Sequence, residues 1–381
     1  MKKFLDCISI VGATPSKFHG TKKYVSTGAV ATTEIDESEV VEVTYEDRPS
    51  RANLSAEAGD ILFAKMQGTR KTLLLDSETE KNIYSTGFYA VRANPEVITT
   101  ECLYYLIDSE LFLAQKDKNC SGATQKAITN GGMAKIEISV PALSEQGILV
   151  DKLKHLTQLI ADKKKQLNLF DEIIKSRFIE MFGDPKLNPR KWDMVTIGDI
   201  ATDVRYGTSR PATEGGRYPY LRMNNLTYEG YLDLTDLKHI DIPDNEIEKC
   251  VVRNGDVLFN RTNSVELVGK TCVYNLDSDM IIAGYIIRVR IDDRVLPVIL
   301  SSYLNSTVMK EQLRSMAKGA VNQANINAQE LRSIPIYLPP ITLQHEFATF
   351  VEQVDKSKFE IQQSLEKLEI LKKSLMQQYF G

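Results

Sequence analysis

Asn254–Ser264 reads NGDVLFNRTNS, and Ala58–Gly68 reads AGDILFAKMQG. In each stretch a Gly-Asp turn opens an apolar run, and polar residues follow it. In the later stretch Asp256, Val257, Leu258 and Phe259 form the strand. It delivers Asn260, Arg261, Thr262, Asn263 and Ser264, five polar residues with no apolar anchor. The scaffold recurs while the chemistry at its end changes, so the question is whether the whole chain recurs.

It does. Gly59-Asp60 and Gly255-Asp256 stand 196 residues apart, as do Tyr24 of YVSTGAV and Tyr220 of YLRMNNL. Gly87 and Gly284 are offset by 197. After one inserted residue in KGAVNQANIN, relative to SGATQKAIT, the offset settles at 198 for Pro141 and Pro339, Gln146 and Gln344, and Phe182-Gly183 and Phe380-Gly381. A register held over that distance marks a tandem duplication of about 197 residues, far longer than a solenoid unit.

Each repeat ends in a long amphipathic helix. Leu149, Leu153, Leu156, Ile160, Lys163, Leu167, Phe170 and Ile174 follow a 4,3,4,3 spacing, as do Phe347, Val351, Val354, Lys358, Ile361, Leu365, Leu368 and Lys372. The second seam slips at its end to Leu371 and Leu375. A 3.5-residue apolar period with charged flanks is a coiled-coil pattern. Each helix covers about 35 residues and about 50 Å. Two readings stand: helix against helix, which the lysines on the outer faces favour, or each helix packed on its own domain.

The remainder reads as mixed α/β. Strands are expected at YPYLRMNN, GDVLFN, KTCVYN, MIIAGYIIRVRI and SIPIYLP, with a helix from about Pro297 to Met316. The first repeat matches with YVSTGAV, GDILFAK, KTLLL, GFYAVRA and KIEISVP, and a helix from about Thr100 to Lys118. Prolines in VPALSEQ and YLPPITLQ stop a strand before each long helix. The expected segments are a domain at 1–144, a helix at 145–183, a domain at 184–340 and a helix at 341–381.

The 381 residues allow two cores, and no apolar run reaches the length of a membrane span. The five cysteines and four histidines are scattered, which points to a reducing cytoplasm and no metal site. The net charge of −4 requires any nucleic-acid contact to come from segregated basic loops. The acidic run Glu34–Asp47 should face away from phosphate. No Gly-x-Gly-x-x-Gly, Walker lysine loop, Asn/Asp-Pro-Pro-aromatic motif, nuclease motif or nucleophile–base spacing is present.

What the sequence does carry is donor-rich loops at matching places. The second repeat offers Arg205, Thr208, Ser209, Arg210, Arg217, Arg222, Asn224 and Asn225, with Glu214 the one acid among them. To these it adds Asn260, Arg261, Thr262, Asn263, Ser264 and Lys270, then Lys318, Asn322, Gln323 and Asn325. The first repeat offers Lys65, Gln67, Thr69, Arg70 and Lys71, then Gln125 and Lys126, with Lys17, His19, Lys22 and Lys23 upstream. Arginine reads guanine, Asn and Gln read adenine, and hydroxyls and amides hold phosphates. Any surface loop is polar, but three such loops recurring in both repeats favour double-stranded DNA as partner. Two repeats with unlike loops suggest readers of two different short sequences, with antiparallel helices setting the distance between them.

The chain resembles the specificity subunit of type I restriction-modification enzymes. The likeness covers its whole length and is strongest in NGDVLFNRTNSVELVGK, GTSRPATEGGRYPYLRMNNL, MFGDPKLNPRKW and LKKSLMQQYFG. AKMQGTRKTLLL departs from the Arg-Thr-Asn-Ser loop, which leaves the contacts of the first repeat less defined. The resemblance implies two target recognition domains on an antiparallel helix pair with pseudo-two-fold symmetry. They would read a bipartite target with a nonspecific gap. It further implies that the helices bind two modification subunits carrying S-adenosylmethionine. A restriction subunit using ATP and Mg would join them, and this chain would hold no cofactor or catalytic site. The competing readings are a helical scaffold without DNA reading and a standalone methyltransferase or nuclease.

Overall fold

A computed structural model describes residues 1–317 and 324–381. The chain divides into two compact units, Met1–Lys164 with Gln363–Gly381, and Lys165–Gln362. Two 40-residue helices, a central helix at Leu143–Phe182 and a C-terminal helix at Ile341–Phe380, contribute to both. Each is about 60 Å long, longer than the heptad pattern alone indicates.

Within unit 1, an antiparallel sheet runs in the order Ile8–Val11, Phe88–Ala93, Ile61–Ala64, Thr72–Leu74. A second sheet runs Val41–Val43, Lys22–Val25, Ile83–Ser85, Ala52–Leu54, with one parallel pairing at Tyr24 and Ile83. Unit 2 repeats the first order with Ala201–Tyr206, Ile286–Ile291, Val257–Asn260 and Thr271–Val273. It repeats the second with Lys238–Ile240, Tyr218–Leu221, Met280–Ile282 and Val251–Val252, parallel again where Tyr220 meets Ile281. One parallel pair at matching residues in otherwise antiparallel sheets is a topological copy of the sequence repeat.

Two expectations are corrected. MIIAGYIIRVRI is two strands in different sheets, because the chain turns at Ala283-Gly284-Tyr285 between Met280–Ile282 and Ile286–Ile291. The domain helices also break in both units, into Thr100–Ile107 and Glu110–Lys118, and into Pro297–Asn305 and Thr307–Met316. Ser109 and Ser306 cause the breaks. Each takes extended backbone, and its hydroxyl accepts the N–H of Phe112 or Met309, starting a new helix.

The repeated Gly-Asp has a structural explanation. Gly59 and Gly255 sit at φ +87° and +92°, where a side chain would be strained. The buried Asp60 accepts the Glu57 N–H at 2.8 Å and Arg92 Nε at 2.7 Å. Asp256 does the same with the Arg253 N–H at 2.9 Å and Arg290 Nε at 2.8 Å. The pair therefore closes a turn and ties the strand that follows to its neighbour.

A second duplicated device seats each long helix. Gln146 and Gln344 are fully buried. Gln146 accepts from the Thr99 N–H at 2.7 Å and donates to Val97 O and Pro141 O at 3.0 and 2.9 Å. Gln344 accepts from the Leu296 N–H at 2.9 Å and donates to Arg294 O and Pro339 O at 3.0 and 2.8 Å. Each glutamine thereby fastens the helix start to the loop that opens the domain helices.

Both readings of the long helices hold, because each unit packs a helix pair and a domain into one core. In unit 1, Leu149 and Leu153 of the central helix meet Met376 and Phe380 of the C-terminal helix and the domain residues Phe4 and Leu106. In unit 2, Phe178 and Phe182 meet Phe347 at 5.5 and 5.4 Å between ring centroids, with Ile174 and Val351 against the same core. The pairing in each unit joins the early part of one helix to the late part of the other, so it is antiparallel. Leu156, Val354 and Leu365 are buried. Ile160, Leu167, Phe170, Ile361 and Leu368 are half-buried. The expected slip to Leu371 is corrected. Leu371 is 53 % exposed, whereas Lys372 and Leu375 are half-buried, so the heptad continues through the lysine to Leu375, the other residue of the expected slip, which packs against the core of unit 1.

Candidate nucleic-acid interface

The strand Val257–Asn260 runs into a loop whose residues divide sharply by burial. Asn260 is fully buried and Thr262 nearly so. Asn260 Nδ2 donates to Tyr285 O at 3.3 Å, and Thr262 Oγ1 donates to Asn325 Oδ1 at 2.9 Å. These two polar residues shape the loop. Arg261 and Asn263 are half-buried, alternating with Asn260 and Thr262, and the alternation ends at the exposed Ser264.

Two of the three expected loops meet in each unit. In unit 2, Thr262–Asn263 pairs antiparallel with Ala324–Asn325, and the Ile326 N–H donates to Arg261 O at 2.9 Å. In unit 1, Met66 bridges Ala127, the Gln67 N–H donates to Lys126 O, and the Ile128 N–H donates to Lys65 O at 2.9 Å. Gln125 Nε2 lies 3.0 Å from Met66 Sδ. Gln67, Gln125 and Lys126 are exposed around a shallow hollow. Lys318, Asn322 and Gln323 lie outside the described residues.

The closest correspondence between the units is Lys65 with Arg261. The Lys65 N–H donates to Gly87 O and the Arg261 N–H to Tyr285 O, both at 2.9 Å. Each therefore sits one residue past its central strand, with its backbone held on both sides. Each lays its cation on a tyrosine: Lys65 Nζ is 4.3 Å from the Tyr89 ring centroid, and the Arg261 guanidinium is 4.7 Å from that of Tyr206. Tyr89 belongs to the strand paired with Ile61–Ala64, whereas Tyr206 ends the edge strand Ala201–Tyr206, one strand further out. Partial burial lowers the Lys65 ammonium from its ordinary value. The third loop reaches the same neighbourhood through Gly207 and Thr208. The Gly284 N–H donates to Thr208 O at 2.7 Å, and a Cβ on Gly207 would collide with the Ile282 and Ala283 carbonyls.

The other arginines of that loop are not free. Arg205 donates to Asp203 at 2.7 Å, Arg210 grips Glu246 with two bonds of 3.0 and 2.7 Å, and Arg222 donates to Asp236 at 2.7 Å. Arg217 lies 3.8 Å from Asp244. Asp236, Asp244 and Glu246 lie 14 to 36 residues from their partners, and Asp203 lies two residues before Arg205, outside the stretch in which Glu214 was the one acid counted, so that count overstated the positive charge. Asn225 is buried, donating to Asp233 O at 2.8 Å and accepting from the Arg222 N–H. Asn224 and Ser209 are exposed, and Thr208 is buried.

Several lysines brace the loops from within. Lys71 Nζ donates to Thr27 O at 2.5 Å, and its counterpart Lys270 to Met223 O at 2.8 Å. Arg70 makes two 2.9 Å bonds to Asp108, beside the helix pair of unit 1. Lys17 and Lys22 lie beside the acidic run that was expected to face away from phosphate. Lys17 is 3.7 Å from Glu46, and Lys22 pairs across strands with Val43. The acidic run and these lysines therefore share one surface.

Two buried lysines gave no sequence signal. Lys116 Nζ donates to Met66 O and Thr69 O at 3.1 and 2.6 Å, holding the loop after Lys65. Lys310 Nζ donates to Gly269 O at 3.0 Å, and burial pushes it down to about 7. Between pH 7 and about 10 the unfolded chain carries this proton and the folded one does not, so stability rises with pH across that window. The melting temperature of unit 2 is expected to climb from pH 7 to 9, and Lys310→Met should flatten that climb in calorimetry. Among the described residues no group of three or more His, Cys, Asp or Glu side chains is placed to hold a metal ion. Nor is any helix there long and apolar enough to cross a membrane.

Each α/β body thus carries one cation-bearing loop at the same backbone position, a duplicated site on a duplicated scaffold. The chain belongs to the family of the type I restriction modification DNA specificity domain, whose profile matches residues 10–169 and 189–372. It is 24 % identical over 285 residues to the EcoKI specificity subunit of Escherichia coli K12, a match covering 70 % of this chain and 61 % of that one. It is 29 % identical over 196 residues to the putative MjaX specificity subunit of Methanocaldococcus jannaschii, covering 50 % and 46 %. The chain thus spans under two thirds of the length of these relatives. A solved structure concerned with complex assembly and conformational transition of the type I R-M system shares the fold. Its TM-score is 0.57 at 21 % identity, covering 98 % of this chain and 97 % of that one.

Proposed function

We propose that the chain is a non-catalytic, sequence-reading subunit that directs a DNA-modifying complex to a bipartite target. Segments 1–144 and 184–340 are its two recognition domains, and the helices at 145–183 and 341–381 recruit modification subunits, with restriction subunits as further partners. Any S-adenosylmethionine, ATP or Mg resides on those partners. The observation that carries this reading is the pair Lys65 and Arg261. Both are cations at one backbone position, on braced loops, over tyrosine rings, and they differ in side chain. A constant scaffold presenting different donors suits two half-sites of different sequence. Gln67, Gln125, Lys126, Asn263, Ser264, Ser209 and Asn224 are exposed or half-exposed donors on the loops of the two repeats.

A helical scaffold without DNA reading is the competing reading, and the carboxylate partners of Arg205, Arg210, Arg217 and Arg222 favour it. Binding of the assembled complex to random duplexes at several salt concentrations separates the two. A specific reader should enrich a two-part motif that survives at 150 mM salt, whereas a scaffold should show only salt-sensitive, motif-free binding. The chain alone should transfer no label from S-adenosylmethionine to DNA. Transfer by the isolated chain would point to a standalone methyltransferase instead.

A further inference from the structure

In unit 2 three elements converge on one partly buried polar cluster. Asp171 comes from the central helix, Lys358 and Asp355 from the C-terminal helix, and Tyr231 from a loop of the second α/β body. Lys358 Nζ is 2.5 Å from Asp171 Oδ1, and both side chains are less than one fifth exposed. The same ammonium lies 3.7 Å from the centre of the Tyr231 ring. Tyr231 Oη donates to Asp355 Oδ1 at 3.3 Å. Burial raises the carboxyl of Asp355 above its ordinary range.

Lys358 occupies a heptad position where its neighbours Val351, Val354, Ile361 and Leu365 are apolar. An apolar residue there would pack at least as well, since a buried ion pair rarely outperforms hydrophobic residues of similar volume. What the pair supplies is discrimination between registers. A slip of seven residues moves one helix by about 10 Å and keeps every apolar residue on the seam. It would set Lys358 opposite Phe178 in one direction and opposite Lys164 in the other. Asp171 would then face Val351 or Leu365. Either slip leaves two charges buried without partners, which single polar seam residues are known to penalise. The repeat supplies an internal contrast. The position matching Lys358 in the first repeat is Ile160 and that matching Asp171 is Glu369, which pairs instead with Lys164 at 3.0 Å, both about half exposed.

We infer that the Asp171–Lys358 pair, covered by Tyr231, is a register lock that selects one alignment of the two long helices and fixes the second body to it. Lys358 is a positioning residue. Its role is independent of whether the chain reads DNA.

The test uses the full chain with its modification subunits, with the half-exposed Cys120 replaced by serine. Spin labels go on Ser176→Cys and Gln353→Cys, exposed positions five residues after Asp171 and five before Lys358, hence level with one another along the antiparallel pair. Pulsed electron resonance should give one narrow distance for the otherwise native chain and for Lys358→Arg. The neutral pair Asp171→Leu with Lys358→Met should melt no lower than the parent yet show a second distance population, displaced in line with a one-heptad slip. Asp171→Asn with Lys358→Gln, closer in shape, should show the same population and serves if the apolar pair fails to fold. A single native distance in both neutral pairs would overturn the register lock. A normal DNA motif with altered distances, or the reverse, keeps this outcome apart from that of the proposed function.

Discussion

Replacing Gln344 with leucine is expected to destabilise unit 2 by about 3 kcal/mol, the sum of losing several buried hydrogen bonds. Leucine fills a similar volume, so no cavity explains the loss. It strands the Leu296 N–H and the carbonyls of Arg294 and Pro339, which Gln344 alone connects across the start of the C-terminal helix. Gln146→Leu should do the same to unit 1 by stranding the Thr99 N–H, Val97 O and Pro141 O. Chemical denaturation resolves the two cases. Each variant should shift the transition of its own unit and leave the other near its parent midpoint. Gln344→Glu should fare worse than leucine, because a buried carboxylate would face two carbonyl oxygens. Equal, small shifts in all three variants would show that the clamp is idle.

Arg261→Ala carries the largest functional effect. Removal of a base-reading arginine is expected to weaken binding to the cognate duplex about 10- to 100-fold. The loss should fall on one or two adjacent base pairs of one half-site, while the other half-site keeps its preference. Lys65→Ala should produce the mirror result. Libraries randomised in one half-site at a time would measure both. A phosphate contact behaves differently: binding weakens uniformly across sequences, and the salt dependence becomes shallower by about one ion. If both variants kept parental affinity and motif in a complex that still binds DNA, these loops would lie off the duplex. The tyrosines make a further distinction. Because Arg261 rests on Tyr206 and Lys65 on Tyr89, Tyr206→Ala should loosen readout at the Arg261 half-site and leave the Lys65 half-site unchanged.

The duplication was legible in the chain because both copies still obey the same local rules. Gly59 and Gly255 remain because the left-handed turn they make excludes other residues. The heptads survive because a seam must stay apolar over its length. Lys65 and Arg261 could be placed just past the end of a strand by the Gly-Asp turn and the apolar run that precede them. Burial of Asn260, Thr262 and Asn225 was not legible, since nothing local distinguishes a buried polar residue satisfied by a distant carbonyl from an exposed one. The arginines were misjudged for the same reason. Glu246 lies 36 residues from Arg210, and Asp108 lies 38 from Arg70, so the sheets, not the sequence neighbourhood, brought the charges together.

Periodicity and repetition are properties of neighbouring residues, and they alone determined that this protein is two related α/β bodies joined to long, seamed helices. Which side chains remain available to a partner depended on contacts spanning tens to nearly two hundred residues. Tertiary structure alone decided that Lys71, Lys270, Lys116 and Lys310 brace loops, that Arg222 answers Asp236, and that Lys358 meets Asp171. The physical reason is that charge and hydrogen-bonding capacity are satisfied through space, by whichever group the fold sets within about 3 Å.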